Sequence, residues 1–149
     1  SDGTGANTLF ARRPLNNVPF VQQVDPQSVD GFPDVSRAGV LYMNGREVYK
    51  FAVSAMSRAL KEACEKFGTT PEELDLIVPH QANLRIIQSA AKELGLPLER
   101  FYVNIDRYGN TSSACIPVGL SELGAAGELK PGRKVGLVGL VYGGCVFEL

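Results

Sequence analysis

The sequence predicts a layered α/β fold in which helices cover a mixed, mostly parallel sheet. Three observations predict it: apolar runs of strand length at Leu74–Val78 and Lys134–Val141, two apolar stripes at helical spacing, and the alternation of strand and helix patterns along the chain. At 149 residues and 44% hydrophobic content, one core of ordinary size is expected without disulfides or metal.

The first 40 residues hold few periodic apolar positions, and Pro14, Pro19, Pro26 and Pro33 interrupt them, so Arg12 to Arg37 reads as a long loop. Ser1-Asp2-Gly3-Thr4-Gly5-Ala6 is a glycine-rich turn, an opening that reads as the middle of something. From Val48 the apolar positions Phe51, Ala52, Ala55, Ala59, Leu60 and Ala63 mark an amphipathic helix. Asn44 followed by Glu47 forms its capping box, in preference to a hairpin at Asn44-Gly45, and Gly68 stops it. Thr70-Pro71-Glu72-Glu73 repeats the capping logic before the buried strand Leu74–Val78.

After Pro79-His80-Gln81, the stripe Leu84, Ile87, Ala91 and Leu94 predicts a second helix, closed by Gly95 and Pro97. Phe101-Tyr102-Val103 is a third strand candidate, and Asp106 to Thr111 the loop after it. Ser113 to Ala126 reads as a helix with Pro117 in its first turn and Gly127 as its stop. Pro131-Gly132 turns the chain into the strand Lys134–Val141, Tyr142 to Cys145 form a tight corner, and Val146 to Leu149 begin one more strand.

Charge and composition exclude several functions. A formal net charge of -1, with no lysine or arginine run, gives no footprint for nucleic acid. No apolar stretch reaches the ~18 residues of a membrane span, and the amino-terminal residues are unlike a signal peptide, so the chain reads as soluble and cytoplasmic. Cys64, Cys115 and Cys145 are odd in number and lack CxxC spacing, which supports neither a disulfide framework nor zinc. With His80 the single histidine, no metal is expected.

In folds of this class ligands gather at the carboxyl ends of strands. His80, the Asn110 loop and the Gly143-Gly144 corner all follow strands and could share one edge. His80 titrates near neutrality and precedes a helix start; a catalytic role and a capping or core role stand level for it. The helix dipole would keep its imidazole neutral, which suits a donor to a developing oxyanion. Asn110 alone reads as a cap or turn residue, Gly143-Gly144 as a tight turn, and the three cysteines as packing residues.

In combination these segments are more specific. Val78-Pro79-His80-Gln81-Ala82-Asn83-Leu84-Arg85-Ile86-Ile87 and Val103-Asn104-Ile105-Asp106-Arg107-Tyr108-Gly109-Asn110-Thr111-Ser112-Ser113-Ala114 closely resemble the β-ketoacyl-acyl carrier protein synthase III family. Asp2 to Ala6, Met43 to Val48 and Tyr142-Gly143-Gly144 fit the same family in the same order. The resemblance covers the whole chain but only the second half of the family's protein. It implies that 1–149 form the carboxyl-terminal lobe of a thiolase-like synthase, half of an α-β-α-β-α sandwich, with 1–40 a connecting strand end and long loop.

The family's reaction is a decarboxylative condensation of an acyl group, taken from acyl-coenzyme A by a cysteine, with malonyl-acyl carrier protein. The resemblance implies that this cysteine belongs to an amino-terminal lobe absent here, that the complete enzyme is a homodimer, and that this chain alone is inactive. It implies no cofactor, with coenzyme A and phosphopantetheine thioesters as substrates. His80 and Asn110 would hold the malonyl thioester oxygen as it becomes an enolate, Gly144 would lend its backbone N–H to the acyl-thioester oxyanion, and Asn83 would contact the pantetheine arm. Arg85 would lie near the carrier-protein docking face. One histidine followed by the asparagine motif favours the Cys-His-Asn class over the elongating, two-histidine synthases. Two departures stand out: Cys145 follows the double glycine where relatives often carry glycine, and the chain ends at Leu149, short of the expected last strand. A reading from another class is a non-catalytic partner or scaffold subunit that pairs with a cysteine-bearing chain.

Overall fold

The computed structural model describes residues 8–11, 41–139 and 143–148. The loop expected from Arg12 to Arg37, the opening glycine-rich turn and Tyr142 lie outside the described residues. The chain divides into two compact units, 1–49 and 50–149. In the first, β1 (Leu9–Ala11) pairs antiparallel with β2 (Leu41–Met43), Leu9 opposite Met43. The Asn44 N–H continues that ladder to the Thr8 carbonyl at 2.7 Å. An apolar triplet as short as Leu41-Tyr42-Met43 carries no periodicity, so it was not legible as a strand.

Helix α1 (Gly45–Phe67) begins where expected: Asn44 Oδ1 accepts the Glu47 N–H at 3.4 Å. In the second unit its buried line is Ala52, Met56, Leu60 and Cys64, spaced by four, whereas Phe51 from the expected stripe is 48% exposed. Gly68 stops it at φ +78°, a left-handed conformation that glycine adopts without a steric cost. The Thr70 side chain does not cap the 3-10 turn Pro71–Glu73. The Glu73 carboxylate does take a backbone hydrogen bond from Thr70, the returning half of a capping box, and is also held by Thr69 Oγ1 and Lys134 Nζ.

Among the described residues three strands form the second unit's sheet. β3 (Leu76–Pro79) lies parallel to β4 (Lys134–Gly139), and β4 lies antiparallel to β5 (Gly143–Glu148). The sheet is mixed, as the sequence indicated. Phe101 makes only an isolated parallel bridge to Ile77, so Phe101–Val103 is not a strand. The double glycine is likewise not a corner, because Gly143 opposes Gly139 and Gly144 opposes Val138 inside the β4–β5 ladder. β4 runs to Gly139 within the described residues, and the last two residues of the predicted strand, 140 and 141, lie outside them.

The remaining helices are α2 (Leu84–Leu94), α3 (Ile105–Tyr108) and α4 (Cys115–Ala125), the last entered through a 3-10 turn at Ser112–Ala114. Helices cover both faces of the sheet. On one face Val78 and Val135 pack with Leu123 of α4, joined by Ile116, Leu120 and Leu137. On the other, Gly136 sits beneath Leu60 of α1 and Leu74, so close that a Cβ there would come within 2.8 Å of Leu74 Cδ1 and 2.9 Å of Leu60 Cδ1. Glycine in this strand is a packing requirement: it lets a fully buried leucine meet the sheet, a contact that contributes roughly 1.5–3 kcal/mol per apolar side chain. Gly119 does the same for α4, where a Cβ would stand 3.1 Å from Val78 Cγ1. These two close contacts hold α1 and α4 against the sheet and so set the surroundings of the residue after β3, His80.

Candidate active site

Strand β3 ends at Pro79, and the next residue is His80. Its side chain lies past the strand while its N–H still donates to the Val138 carbonyl at 2.8 Å. The alternation along β4 has a consequence for its other neighbour. Lys134 and Val138 turn their carbonyls to β3, receiving Asp75 N–H at 2.9 Å and His80 N–H at 2.8 Å, so Val135, Leu137 and Gly139 turn theirs to β5. Gly144 faces Val138 and is thus a non-hydrogen-bonded pair whose N–H points away from β4. Pro79, Val138 and Gly144 form one rung, about 10 Å across at ~4.8 Å per strand.

The His80 ring is half-buried, and its Nδ1 lies 2.9 Å from Sγ of Cys115, the first residue of α4. The same sulfur accepts the Gln81 N–H at 3.4 Å. Burial pushes the imidazole pKa below its ordinary 6.5, and a backbone hydrogen bond at Ser112 only partly opposes this. The ring is therefore neutral at pH 7. The expected direction holds, but burial causes it, where the sequence pointed to the dipole of α2.

Gln81 is the most connected residue of the corner. Its side chain is 1% exposed; Nε2 donates to the carbonyls of Pro79 and Tyr102, both at 2.9 Å, and Oε1 accepts the Asn104 N–H at 3.1 Å. The Tyr102 N–H bonds to the Ile77 carbonyl of β3 at 2.8 Å, and the Gln81 amide satisfies the Tyr102 carbonyl and the Asn104 N–H, so the pairing with β3 goes no further than that bridge.

Asn110 is exposed and follows Gly109 at φ +67°. Its Oδ1 accepts the Ser112 N–H at 3.0 Å, an Asx turn that leaves the amide nitrogen outside the turn's bonding. Ser112 takes φ +55°, a left-handed conformation uncommon for a residue other than glycine, and its backbone meets the His80 ring. The segment before Asn110 is latched to α4 through Glu122. Its carboxylate accepts from Asn104 Nδ2 at 2.7 Å, Tyr102 OH at 2.8 Å and Tyr108 OH at 3.0 Å, and pairs with Arg107. The Asn104 amide above all, with both tyrosine hydroxyls and Arg107, holds that carboxyl below the usual carboxylate range.

His80 and Gly144 thus stand at neighbouring positions of one sheet end, and Ser112 brings the Asn110 segment to the His80 ring. Asn83 and Arg85 lie at the start of α2, both exposed; Asn83 Oδ1 caps the helix by accepting the Arg85 N–H at 2.9 Å. Sequence reasoning missed Gln81, Asn104, Cys115 and Glu122. Gln81 carried a signal, a long amide directly after a strand, whereas Cys115 looked like any helix cysteine. The packing role assigned to all three cysteines suits Cys64 and Cys115, both buried, but not Cys145, which is exposed; the Cys115 sulfur in addition meets His80, because α4 starts over the end of β3. Among the described residues no three His, Cys, Asp or Glu side chains gather as metal ligands would, and no helix is long and apolar enough to cross a membrane.

Comparison with known proteins gives this geometry a family. Residues 64–149 match the family described as 3-oxoacyl-[acyl-carrier-protein (ACP)] synthase III C terminal. The chain is 44% identical over 144 residues to the β-ketoacyl-[acyl-carrier-protein] synthase III of Clostridium acetobutylicum, a match that spans 97% of this chain and 41% of that relative. Among solved structures, synthase III of Thermus thermophilus is 46% identical with a TM-score of 0.80, covering 100% of this chain and 44% of that one. The priming β-ketosynthase of the R1128 polyketide biosynthetic pathway is 31% identical with a TM-score of 0.77, over 99% of this chain and 42% of that one. The chain therefore spans less than half the length of these relatives, and the likeness runs through a thiolase-like α/β lobe. By profile, identity and fold together, this chain belongs to the β-ketoacyl-acyl carrier protein synthase III family, as its carboxyl-terminal part.

Proposed function

We propose that this chain is the carboxyl-terminal lobe of an acyltransferase that condenses an acyl group from acyl-coenzyme A with malonyl-acyl carrier protein by decarboxylation, starting fatty acid or polyketide synthesis. The observation that carries this is a neutral imidazole fixed at the carboxyl end of β3, with the Asn110 segment closed against it through Ser112. A neutral donor in a half-buried site suits an oxygen that gains negative charge during the reaction.

When the bond between the malonyl carboxylate and its neighbouring carbon breaks, carbon dioxide leaves and the electron pair passes to the thioester as an enolate. The His80 ring N–H and the Asn110 amide hold that enolate oxygen. The enolate carbon then attacks the acyl thioester, whose carbonyl oxygen faces the Gly144 N–H directed away from β4, and the cysteine departs as thiolate. That nucleophile comes from the amino-terminal lobe, so this chain alone condenses nothing. Asn83, exposed at the start of α2, contacts the pantetheine arm, and Arg85 faces an acidic carrier protein. The complete enzyme works in the cytoplasm as a homodimer, without a cofactor.

The test is His80→Ala in the complete enzyme, with cysteine acylation and malonyl decarboxylation measured separately. Decarboxylation should fall about 10²–10³-fold, the usual loss for one oxyanion donor, while acylation stays largely intact. Unchanged decarboxylation would overturn the role. A stable complex between the two lobes that never decarboxylates would instead assign this chain to scaffolding.

A further inference from the structure

The buried thiol beside His80 is unused in that mechanism. Cys115 lies within hydrogen-bond reach of a histidine, as a nucleophile would, but it is 2% exposed, which denies an acyl donor access to the sulfur. Its surroundings point elsewhere. The sulfur receives one proton already, from the Gln81 N–H at 3.4 Å, and Nδ1 of His80 stands on it at 2.9 Å. A thiol has one proton to give, and a neutral imidazole has one nitrogen without a proton. If Nδ1 carried the ring proton, the sulfur would receive two N–H groups, its own proton would need another acceptor, and Nε2 would be bare and unable to donate. If the thiol donates to Nδ1, sulfur and ring are both matched, because the ring proton then sits on Nε2, the one nitrogen able to donate to the backbone at Ser112.

We propose that Cys115 is a positioning residue: its S–H donates to Nδ1 of His80 and fixes the neutral ring with its proton on Nε2, where the oxyanion donor is required. The requirement for a donor rests on the reading under Proposed function, but the tautomer does not. The thiol also ties the histidine to the first turn of α4, directly after the Asn110–Ser112 segment, so one helix end sets both donors.

The chain has a single histidine, which makes the claim directly observable. In the full chain labelled with ¹⁵N-histidine, two-bond proton–nitrogen spectra at pH 7 should show a protonated Nε2 and a bare Nδ1. Cys115→Ser keeps a donor and should preserve this pattern, whereas Cys115→Ala should shift the ring toward a mixture of tautomers. In the complete enzyme Cys115→Ala should reduce kcat for decarboxylation about 10- to 100-fold with little change in KM, the scale lost with the partner that orients a working imidazole, and Cys115→Ser should restore it. A protonated Nδ1 in the unaltered chain would overturn the proposal, and that spectrum decides the matter even if Cys115→Ala does not fold. A Cys115→Ala spectrum identical to that of the unaltered chain would overturn it as well. A confirmed tautomer with decarboxylation indifferent to His80→Ala would leave the positioning intact and remove the catalytic reading instead.

Discussion

The two donors of the proposed site reach the same end of the sheet by different means. The His80 corner is built from the inside: its backbone is bonded to Val138, its neighbour Gln81 is buried with three side-chain hydrogen bonds, and its ring rests on a buried thiol. The Asn110 segment is built from the outside, an exposed loop held by an Asx turn and by the Glu122 latch. The lesson concerns where polar bonds sit. Buried ones leave no water to replace a lost partner, while those at the surface trade with solvent at little cost. The corner should therefore be rigid and costly to alter, and the loop cheap to alter and adjustable when substrate arrives.

The largest break in that contrast should come from Gln81→Leu, which strips a partner from the Pro79 and Tyr102 carbonyls and from the Asn104 N–H. With about 1–3 kcal/mol for each buried group left unpaired, unfolding in urea should show a loss of roughly 3 kcal/mol. A loss under 1 kcal/mol would mean that water enters the corner and that the two regions do not differ. Next in size, Gly136→Ala forces a methyl group against Leu60 and Leu74 beneath the same sheet and should cost about 1–3 kcal/mol without disturbing the loop. Glu122→Gln addresses the loop alone. Hydrogen exchange of amides 105–111 should speed up while that of β3 and β4 does not, and equal acceleration in both would contradict a local latch.

Acid gives the smallest and most selective probe. The His80 pKa is lowered on folding, so above 6.5 the ring is neutral in both states and contributes no pH dependence. As pH falls below that value the unfolded chain takes up the proton first, and stability declines until the pH passes the folded-state value, where the loss levels off. The Glu122 latch has the other form: its lowered carboxyl adds stability above the ordinary value of 4.5 that disappears as pH falls through the folded one. The histidine titration followed by NMR should thus have its midpoint below 6.5 and precede any loosening of residues 105–111. A midpoint at or above 6.5 would deny the burial argument.

Much of this architecture was legible in the sequence, for reasons that differ by element. α1 and α2 announce themselves by apolar spacing and by Asn44 and Asn83 as caps, because both signals are local. The start of β5 was not legible, since the glycine pairing Gly139–Gly143 depends on antiparallel register between strands, which no single strand encodes. Phe101–Val103 is cut to a single bridge beside β3: the Tyr102 N–H reaches the Ile77 carbonyl, but the Tyr102 carbonyl and the next N–H, of Asn104, turn to Gln81, a side chain far from them along the chain. His80, Asn110 and Gly144 were singled out through their motifs, and the residues that hold the first two, Cys115 and Glu122, were not. Supporting side chains are chosen by distance in space, and distance in space is what a linear pattern lacks.

The central claim is that His80 and Asn110 act on one oxygen. A double-mutant cycle on malonyl decarboxylation in the complete enzyme tests it most directly, with His80→Ala, Asn110→Ala and the pair measured at saturating substrate. Donors that work as a unit lose most of their effect when either is removed, so the double variant should be little slower than the slower single one. Fully additive losses would contradict the account, because they would place the two side chains on separate tasks.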